Sequence, residues 1–261
     1  MGVINIEIGN EEEGHALVKE AQEIYLDFLR DMLKDKPCIH LAYMTGILPI
    51  KKYGTHSALN MFDEFSMIDP GPLASYVGFT EAEVKKLCEE YHMELSEIRN
   101  WYDGYRFGNT DVYCPWDVVN YCADHLTTPN ATPKNYWLNT SGNEVINHFI
   151  DSVGEPQKLA KTELERLVSG NVVRKRINET ITYKELYSTI DNLWSTLFMT
   201  GYLTQRGSED DGRYRLVIPN REIRNIVTDH ILSLFQDEVK KDGQMANAFC
   251  QALMEGKEKE V

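Results

Sequence analysis

Long apolar runs are missing from this sequence of 261 residues, and none approaches the roughly 20 residues that cross a bilayer. The first residues, 1–7, carry neither a basic flank nor a long apolar stretch, so they lack the pattern of a signal peptide. We therefore expect no membrane partner and a cytoplasmic location.

Cysteine is also scarce, with five residues at wide spacing and no C-x-x-C pair. An odd, scattered set predicts reduced thiols and not a disulfide framework or a zinc ribbon. Cys88 with His92 and Cys122 with His125 have the spacing of one helix face, but nothing in the sequence brings the two pairs together. We therefore expect buried thiols beside ordinary histidines, and no metal site.

Basic residues are outnumbered, with 27 Lys and Arg against 41 Asp and Glu, which gives a net charge of −14. A net negative charge repels a phosphate backbone. The composition therefore disfavours a strongly basic nucleic-acid clamp, although it leaves room for a local basic face.

A phosphate-binding loop is missing too. The pattern G-x-x-x-x-G-K-[ST] needs glycines that expose backbone N–H groups, a lysine that reaches the β- and γ-phosphates, and a hydroxyl that holds Mg²⁺. The sole Gly-Lys pair, Gly256-Lys257, is followed by Glu258 and has no glycine five positions before it. We expect no cofactor, no catalytic residues and no ATP hydrolysis for this chain alone.

Local signals predict helices and one buried strand in the first half of the chain. Apolar residues recurring at three- and four-residue steps predict a helix over 13–33. Cys38–Ile47 is a short apolar run closed by Thr-Gly, which is typical of a buried strand that feeds a loop at its carboxyl end. Thr80 and Glu83 have the spacing of a capping box at a helix start. The other predicted helices of this half are Thr80–His92, Leu95–Tyr102 and Trp116–His125.

The pattern changes from about residue 144 onward. Two short alternating runs, Tyr202–Arg206 and Arg213–Ile218, flank a tip rich in glycine and acidic residues and predict a β-hairpin. A last helix is predicted after Pro219-Asn220. The helices predicted before the hairpin are 144–152, 161–169 and 183–200. Helix, hairpin and helix in this order are typical of a winged-helix-like unit.

Aromatic residues gather around glycine turns. Trp101–Gly108 places four aromatic residues around Asp103-Gly104, where glycine makes a sharp turn easy. Asp103 would cap a local backbone turn, while Arg106 would pair with it or reach an anion. Such groups of aromatics are more often structural corners than catalytic sites, because their rings bury much area and their polar tips fix the turn.

Several short sequence blocks follow one another between about residues 38 and 235, and Trp101–Gly108 is the most distinctive of them. The others are Thr45-Gly46-Ile47, Leu59-Asn60, Gly78-Phe79-Thr80, Tyr113 with Pro115-Trp116, Tyr136-Trp137, Thr200–Thr204 and Pro219–Ile223. In these blocks the sequence resembles the AAA-ATPase-like family, bacterial proteins that commonly carry a PD-(D/E)XK nuclease-like domain after the ATPase part.

The resemblance implies an α+β fold built from the back portion of an ATPase. An α/β remnant of a P-loop core would occupy residues 1–75, and a mainly α-helical region with the aromatic turn would occupy 76–155. A winged-helix-like region at 156–240 and a charged tail at 241–261 would follow.

The resemblance also implies candidate binding residues, since the family binds ATP and Mg²⁺. The strand that ends in Thr-Gly would lie beside the nucleotide and give Thr45 a sensor-like position. The residues that would form a nucleotide-facing turn are Tyr102, Asp103, Gly104, Tyr105 and Arg106.

This chain departs from the family in three places. The phosphate loop and the acidic strand should precede residue 38, and the first 37 residues contain neither. Cys114 stands where the family usually has Asn. The appended nuclease domain is absent, and its ExK signature has only scattered look-alikes, Glu238-Val239-Lys240 and Glu255-Gly256-Lys257. We therefore predict a truncated, non-hydrolysing AAA-ATPase-like protein that acts as a partner-binding or lid portion of an ATPase.

Two other functions stay open. Arg174, Lys175 and Arg176 would give a winged-helix-like module a face that contacts nucleic-acid phosphates, although the acidic total favours an ordinary solvated surface. Alternatively, the chain is a structural or interaction protein that self-associates through apolar surface that the missing core strands would have covered.

Overall fold

The computed structural model describes residues 24–25, 27–46, 62–128, 130–137, 157–181 and 189–229. These residues form helices and two small antiparallel sheets, which is an α+β arrangement. They build two units, which we call the helical unit (62–128) and the sheet unit (157–181 with 189–229). Among the helices of these ranges, none combines the length and the apolar character that crossing a membrane requires.

A helix opens the described part of the chain. Helix α1 covers residues 27–33, and residues 24–25 are helical as well, which confirms this part of the predicted helix. Leu29 is buried, whereas Tyr25 and Phe28 are exposed.

The strand predicted at Cys38–Ile47 is wrong for residues 38–46, which form no strand. Leu41, in the middle of this run, is 89% exposed. A buried strand needs neighbouring strands that take up its backbone hydrogen bonds, and the two sheets of the described residues are antiparallel and formed by later segments. The part of residues 1–75 that the structure describes therefore contains no remnant of a parallel P-loop core.

Three helices make the helical unit, close to the predicted bounds: α2 at Glu81–Tyr91, α3 at Leu95–Tyr102 and α4 at Pro115–Thr127. The predicted capping box is confirmed, since the backbone N–H of Thr80 donates to Glu83 Oε2 at 2.8 Å. The inward faces form one apolar core, whose largest contributors are Val84, Ile98, Tyr102, Tyr113, Val118 and Tyr121.

A two-stranded hairpin connects α3 with α4. Strand β1, Tyr105–Phe107, pairs antiparallel with β2, Thr110–Val112. A short 3-10 helix, Gly71–Tyr76, lies beside β2. The aromatic turn predicted at Trp101–Gly108 is therefore the entry into this hairpin.

The sheet unit alternates helices and strands. Its elements are α5 at Gln157–Val168, β3 at Val173–Lys175, α6 at Ile190–Met199, β4 at Thr204–Ser208, β5 at Tyr214–Val217 and α7 at 221–229. The sheet is antiparallel with the order β3-β5-β4. The predicted hairpin, the helix at 161–169 and the start of the last helix are confirmed, while β3 was not predicted because its three residues show no apolar alternation.

Helix α6 lies at the centre of the sheet unit. All of its residues from Leu193 to Phe198 are buried, which is typical of a helix covered by packing on most of its circumference. The residues that surround it in the core include Leu167, Leu203, Leu216, Ile223 and Ile226.

Some predictions lie outside the described residues. These are the first part of the helix at 13–33, the helix at 144–152, the first part of the helix at 183–200, the end of the last helix and the tail at 241–261.

Candidate functional site

The turn between α3 and β1 is held by the sheet unit. Asp103 Oδ1 accepts a hydrogen bond from Gly104 N at 2.6 Å, so Asp103 caps the turn as predicted. Gly104 has a φ of 109°, and a Cβ at this position would lie 2.0 Å from the carbonyl oxygen of Pro219. Its own carbonyl oxygen accepts from Arg206 Nη2 at 2.9 Å. Glycine is therefore required here by the close approach of two chain segments.

Tyr102 and Tyr105 have structural positions. The Tyr102 hydroxyl donates to the carbonyl of Lys134 at 3.0 Å and accepts from the N–H of the same residue. The Tyr105 hydroxyl donates to the carbonyl of Gly201 at 3.0 Å, across to the sheet unit. Burial raises the pKa of both phenols. These rings fill the interior and cannot present a face to a nucleotide.

Arg106 remains at the surface of the turn, and it does not pair with Asp103. Its Nε lies 4.0 Å from Asp111 Oδ1, and Arg206 Nη1 lies 3.7 Å from the same oxygen. The side chains of Arg106 and Arg206 are 31% and 34% exposed. Both contacts are longer than a hydrogen bond. Arg106 Nε is a buried atom without a hydrogen-bond partner within the described ranges, so an anion from solvent would have to approach the Nη groups of this partly exposed side chain.

Asp103 lies near Arg206. Burial raises the pKa of Asp103, and the Gly104 N–H partly opposes this effect. The charges of Glu81 and Asp111 raise this pKa further, whereas Arg206 lowers it. Asp103 accepts the hydrogen bond from Gly104 N and so caps the turn. Arg106 is then the polar side chain of this turn that remains for a ligand.

A buried pair of acids lies behind the turn. Asp117, in the first turn of α4, is 1% exposed, and Glu222, in the first turn of α7, is 0% exposed. Their carboxyl groups lie within hydrogen-bonding reach of each other. The backbone N–H of Trp137 donates to Glu222 Oε1 at 2.7 Å. Burial raises the pKa of both acids.

Asp117 and Glu222 were not among the predicted site residues. Glu222 stands within the Pro219–Ile223 block, and Asp117 directly follows Pro115-Trp116. An acidic residue early in a helix is common, because it stabilises the exposed amide groups there. The sequence feature that could have pointed to the pair was an acid in or directly after each block. The burial of these acids depends on contacts between segments far apart in the chain, which the sequence does not show.

The basic residues Arg174, Lys175 and Arg176 are engaged by acidic or carbonyl groups. Arg174 pairs with Glu209, and Arg176 Nη2 donates to the carbonyl of Asp211 at 3.2 Å. Lys175 Nζ lies 2.7 Å from Glu163 Oε2 and 4.9 Å from the centre of the Trp194 ring. These three residues are therefore brought together around the sheet, with much of their charge compensated by neighbours.

Thr45 is exposed, in the irregular segment 38–46, so it does not have the strand-end position that the resemblance implies. The buried residues Cys88 and Cys122 belong to the core of the helical unit. Within the residues that the structure describes, no group of three or more His, Cys, Asp and Glu side chains is arranged to hold a metal ion.

Comparison with known proteins gives one distant likeness. No protein-family model and no solved structure matches the chain. An uncharacterized protein in the vnfD 5′ region of Azotobacter chroococcum mcd 1 is 24% identical over 231 residues. The match covers 83% of this chain, and the chain spans only 40% of the length of that relative. This likeness assigns no activity, so the function is argued from the site.

Proposed function

We propose that this chain is a lid portion of an AAA-ATPase-like protein, which contacts nucleotide phosphates and a partner without hydrolysing ATP itself. The proposal combines the ordered sequence blocks with the turn at Asp103–Arg106. It assigns binding to Arg106 and positioning to Asp103, Gly104 and Tyr105.

The observation that carries the proposal is the state of the Arg106 side chain. Its backbone is fixed, because Arg106 N donates to Thr204 Oγ1 at 2.9 Å. Its side chain is 31% exposed, and its ion pair with Asp111 is long. An arginine with a fixed backbone and a partly exposed side chain suits a phosphate, since guanidinium groups bind phosphate oxygens through paired N–H donors.

The proposed absence of hydrolysis is supported by the sequence. No segment supplies the glycines, lysine and hydroxyl that grip the β- and γ-phosphates and Mg²⁺. Arg106 alone contributes one charged contact, which is too little for tight binding because exposed ion pairs stabilise by only about 0–1 kcal/mol. The main grip on ATP would come from a P-loop that this chain does not supply.

Two measurements on the purified chain test the proposal. We expect no sustained Mg²⁺-dependent ATP turnover. We also expect tripolyphosphate at low salt to shift the amide NMR signals of residues 103–107 weakly, and Arg106→Gln to remove this shift. Arg213→Gln, at an arginine of the hairpin tip paired with Asp211, is the control and should leave the shift unchanged. Sustained turnover, or an identical shift in Arg106→Gln, would contradict the proposal.

Exposed apolar residues near α1 support the partner-binding part of the proposal. Tyr25, Phe28, Leu41 and Tyr43 are exposed large hydrophobic residues in this region, and such groups often mark interaction sites. Light scattering over a range of concentrations distinguishes the partners. A mass that rises with concentration indicates self-association, and a constant monomer mass leaves a different protein as the partner.

A nucleic-acid-binding module is the second candidate, and the topology favours it. A three-stranded antiparallel sheet ordered β3-β5-β4, with a hairpin after α6, is what a winged-helix-like unit requires. However, the helix that would enter the groove, α6, is buried from Leu193 to Phe198 and has no basic residue. We expect no salt-dependent binding of duplex DNA at low salt. Binding that disappears when Arg174, Lys175 and Arg176 are neutralised would favour this candidate instead.

A further inference from the structure

Two helices, α4 and α7, each carry a buried acid in the first turn. Cys114 precedes α4, and Asp117 is the third residue of that helix. Asn220 precedes α7, and its Oδ1 accepts a hydrogen bond from Ile223 N at 3.0 Å. Glu222 is the second residue of that helix. A helix start favours negative charge, because its first N–H groups have no partners within the helix.

The hydrogen bonds of this acid pair are incomplete if both groups are ionised. Glu222 Oε1 accepts from Trp137 N, but Glu222 Oε2 and Asp117 Oδ1 have no hydrogen-bond partner in the described part of the chain. Ionised carboxyl groups only accept hydrogen bonds, so two that face each other cannot satisfy one another. One proton between them supplies the missing donor, and buried polar groups are nearly always satisfied.

Among the described residues, the groups found next to this pair offer no positive charge that could replace the proton. The groups that face the pair from neighbouring elements are the Cys114 thiol, the phenols of Tyr102 and Tyr105, and the N–H groups of Tyr136 and Trp137. None of these groups carries a positive charge. The helix starts and N–H groups stabilise one negative charge on the pair. A second negative charge on the neighbouring carboxyl group would be strongly repelled by the first.

We propose that Asp117 and Glu222 share one proton and form a proton-dependent latch that holds the helical unit on the sheet unit. The proton, held on one carboxyl group, is donated to the other while the latch is closed. At alkaline pH it leaves to solvent, two carboxylates remain, and their repulsion separates the start of α4 from the start of α7. The latch does not depend on the proposed lid function.

The latch also adjoins the turn. Pro219, whose carbonyl is in close contact with Gly104, lies three residues before Glu222. Separation of α7 from α4 therefore displaces the segment that supports the turn, and opening of the latch loosens the position of Arg106.

The sign of the pH dependence follows from the acids. Burial first, and then the charge of Asp117, raise the pKa of Glu222, and burial raises the pKa of Asp117. The folded protein thus keeps a proton that the unfolded chain loses near the ordinary carboxyl pKa of about 4. The stability of the pair is complete below that pH and is lost as the pH rises through the raised folded values.

Glu222→Gln tests the latch, because a glutamine keeps an oxygen for Trp137 N and carries a permanent N–H donor for Asp117. The urea midpoint of the wild-type chain is expected to fall from about pH 5 to about pH 9, and the midpoint of Glu222→Gln to fall less over this range. Glu89→Gln, at an exposed acid of α2, is the control and should follow the wild type. Parallel curves for wild type and Glu222→Gln would overturn the latch.

A second measurement tests the shared proton first in the wild-type chain. Carboxyl ¹³C NMR of the wild-type chain should show one glutamate and, besides Asp103, one further aspartate that titrate above the ordinary range. Asp117→Asn should remove the signal of that further aspartate and shift the glutamate signal. If every carboxyl group titrates within the ordinary range, no proton is shared and the proposal fails. Hydrogen exchange at the Trp137 amide should also accelerate with pH more in the wild type than in Glu222→Gln.

Discussion

At the residue scale, the turn between α3 and β1 depends on individual residues that neighbouring atoms hold in place. Gly104 lies against the carbonyl of Pro219, and Tyr102 is bonded to both backbone groups of Lys134. Arg106 differs from these residues, because only its backbone is fixed. Substitutions of Gly104 and Tyr102 therefore report on folding, and a substitution of Arg106 reports on binding.

Gly104→Ala is expected to destabilise the protein strongly. The φ of 109° is unfavourable for alanine, and the new Cβ would lie 2.0 Å from the Pro219 oxygen. We expect a loss of at least about 3 kcal/mol in the free energy of unfolding, as backbone strain and overpacking add. Gly212→Ala is the matched control, since Gly212 also has a positive φ of 78° but open space around it; it should cost only about 1–2 kcal/mol. Equal losses in urea unfolding would show that the contact with Pro219 is unimportant.

Tyr102→Phe is expected to cost about 1 kcal/mol in the free energy of unfolding, because the N–H and C=O groups of Lys134 both lose a partner. The ring itself remains, so the packing against Tyr121 and Tyr136 is kept. Tyr76→Phe, at an exposed tyrosine, should change the stability by less than about 0.5 kcal/mol. Thermal unfolding of the three proteins measures the difference, and a neutral Tyr102→Phe would mean that water replaces the hydroxyl.

At the element scale, helices were predicted better than strands, and the reason is physical. The helix at Glu81–Tyr91 is specified by its own capping box, and the helix at Pro115–Thr127 by its first proline. A strand depends on partners elsewhere in the chain. Residues 38–46 have the composition of a buried strand and form none, whereas Val173–Lys175 lacks that composition and pairs with β5.

The same reason limits what the sequence says about the site. The turn at Asp103-Gly104 and the capping role of Asp103 are local, and both were predicted. Arg206 contacts Gly104, and Asp117 faces Glu222. The residues of each pair are about one hundred positions apart in the sequence, so no local pattern reveals these contacts. Thr45 was placed through an expected strand, and the placement failed together with that strand.

Lys175 tests whether the basic residues of β3 are structural. Its ammonium lies between Glu163 and the Trp194 ring, and both members of the ion pair are mostly buried. Lys175→Met should lower the free energy of unfolding by about 1–3 kcal/mol, because Glu163 is left unpaired in a partly buried position.

Arg176→Met is the control for this comparison, since Arg176 is exposed and bonded only to a backbone carbonyl among the contacts described. It should alter the stability by less than about 0.5 kcal/mol. Urea unfolding measures the stability of both variants. If Lys175→Met leaves the free energy of unfolding unchanged, Lys175 remains a candidate for phosphate contact.

At the scale of the whole molecule, the helical unit and the sheet unit are joined by specific hydrogen bonds. Tyr105 donates to the carbonyl of Gly201 at 3.0 Å, and Gln205 Nε2 donates to the carbonyl of Gly108 at 2.6 Å. Arg206 and Gly104 form a third link. Each bond contributes only about 0.5–1.5 kcal/mol, but together they couple the opening of one unit to the opening of the other.

The two units are therefore expected to unfold in one cooperative transition, and loss of the links should separate them. In native-state hydrogen exchange, the slowest amides of α4 and of β5 should report the same opening free energy in the wild-type chain. Tyr105→Phe combined with Gln205→Ala removes two links and should lower this free energy in one unit more than in the other. Ser169→Ala removes a hydrogen bond to Glu165 within the sheet unit and should leave the two values equal. If the double variant also keeps them equal, the units are coupled by apolar packing and the hydrogen bonds at the turn do not control how movement passes between them.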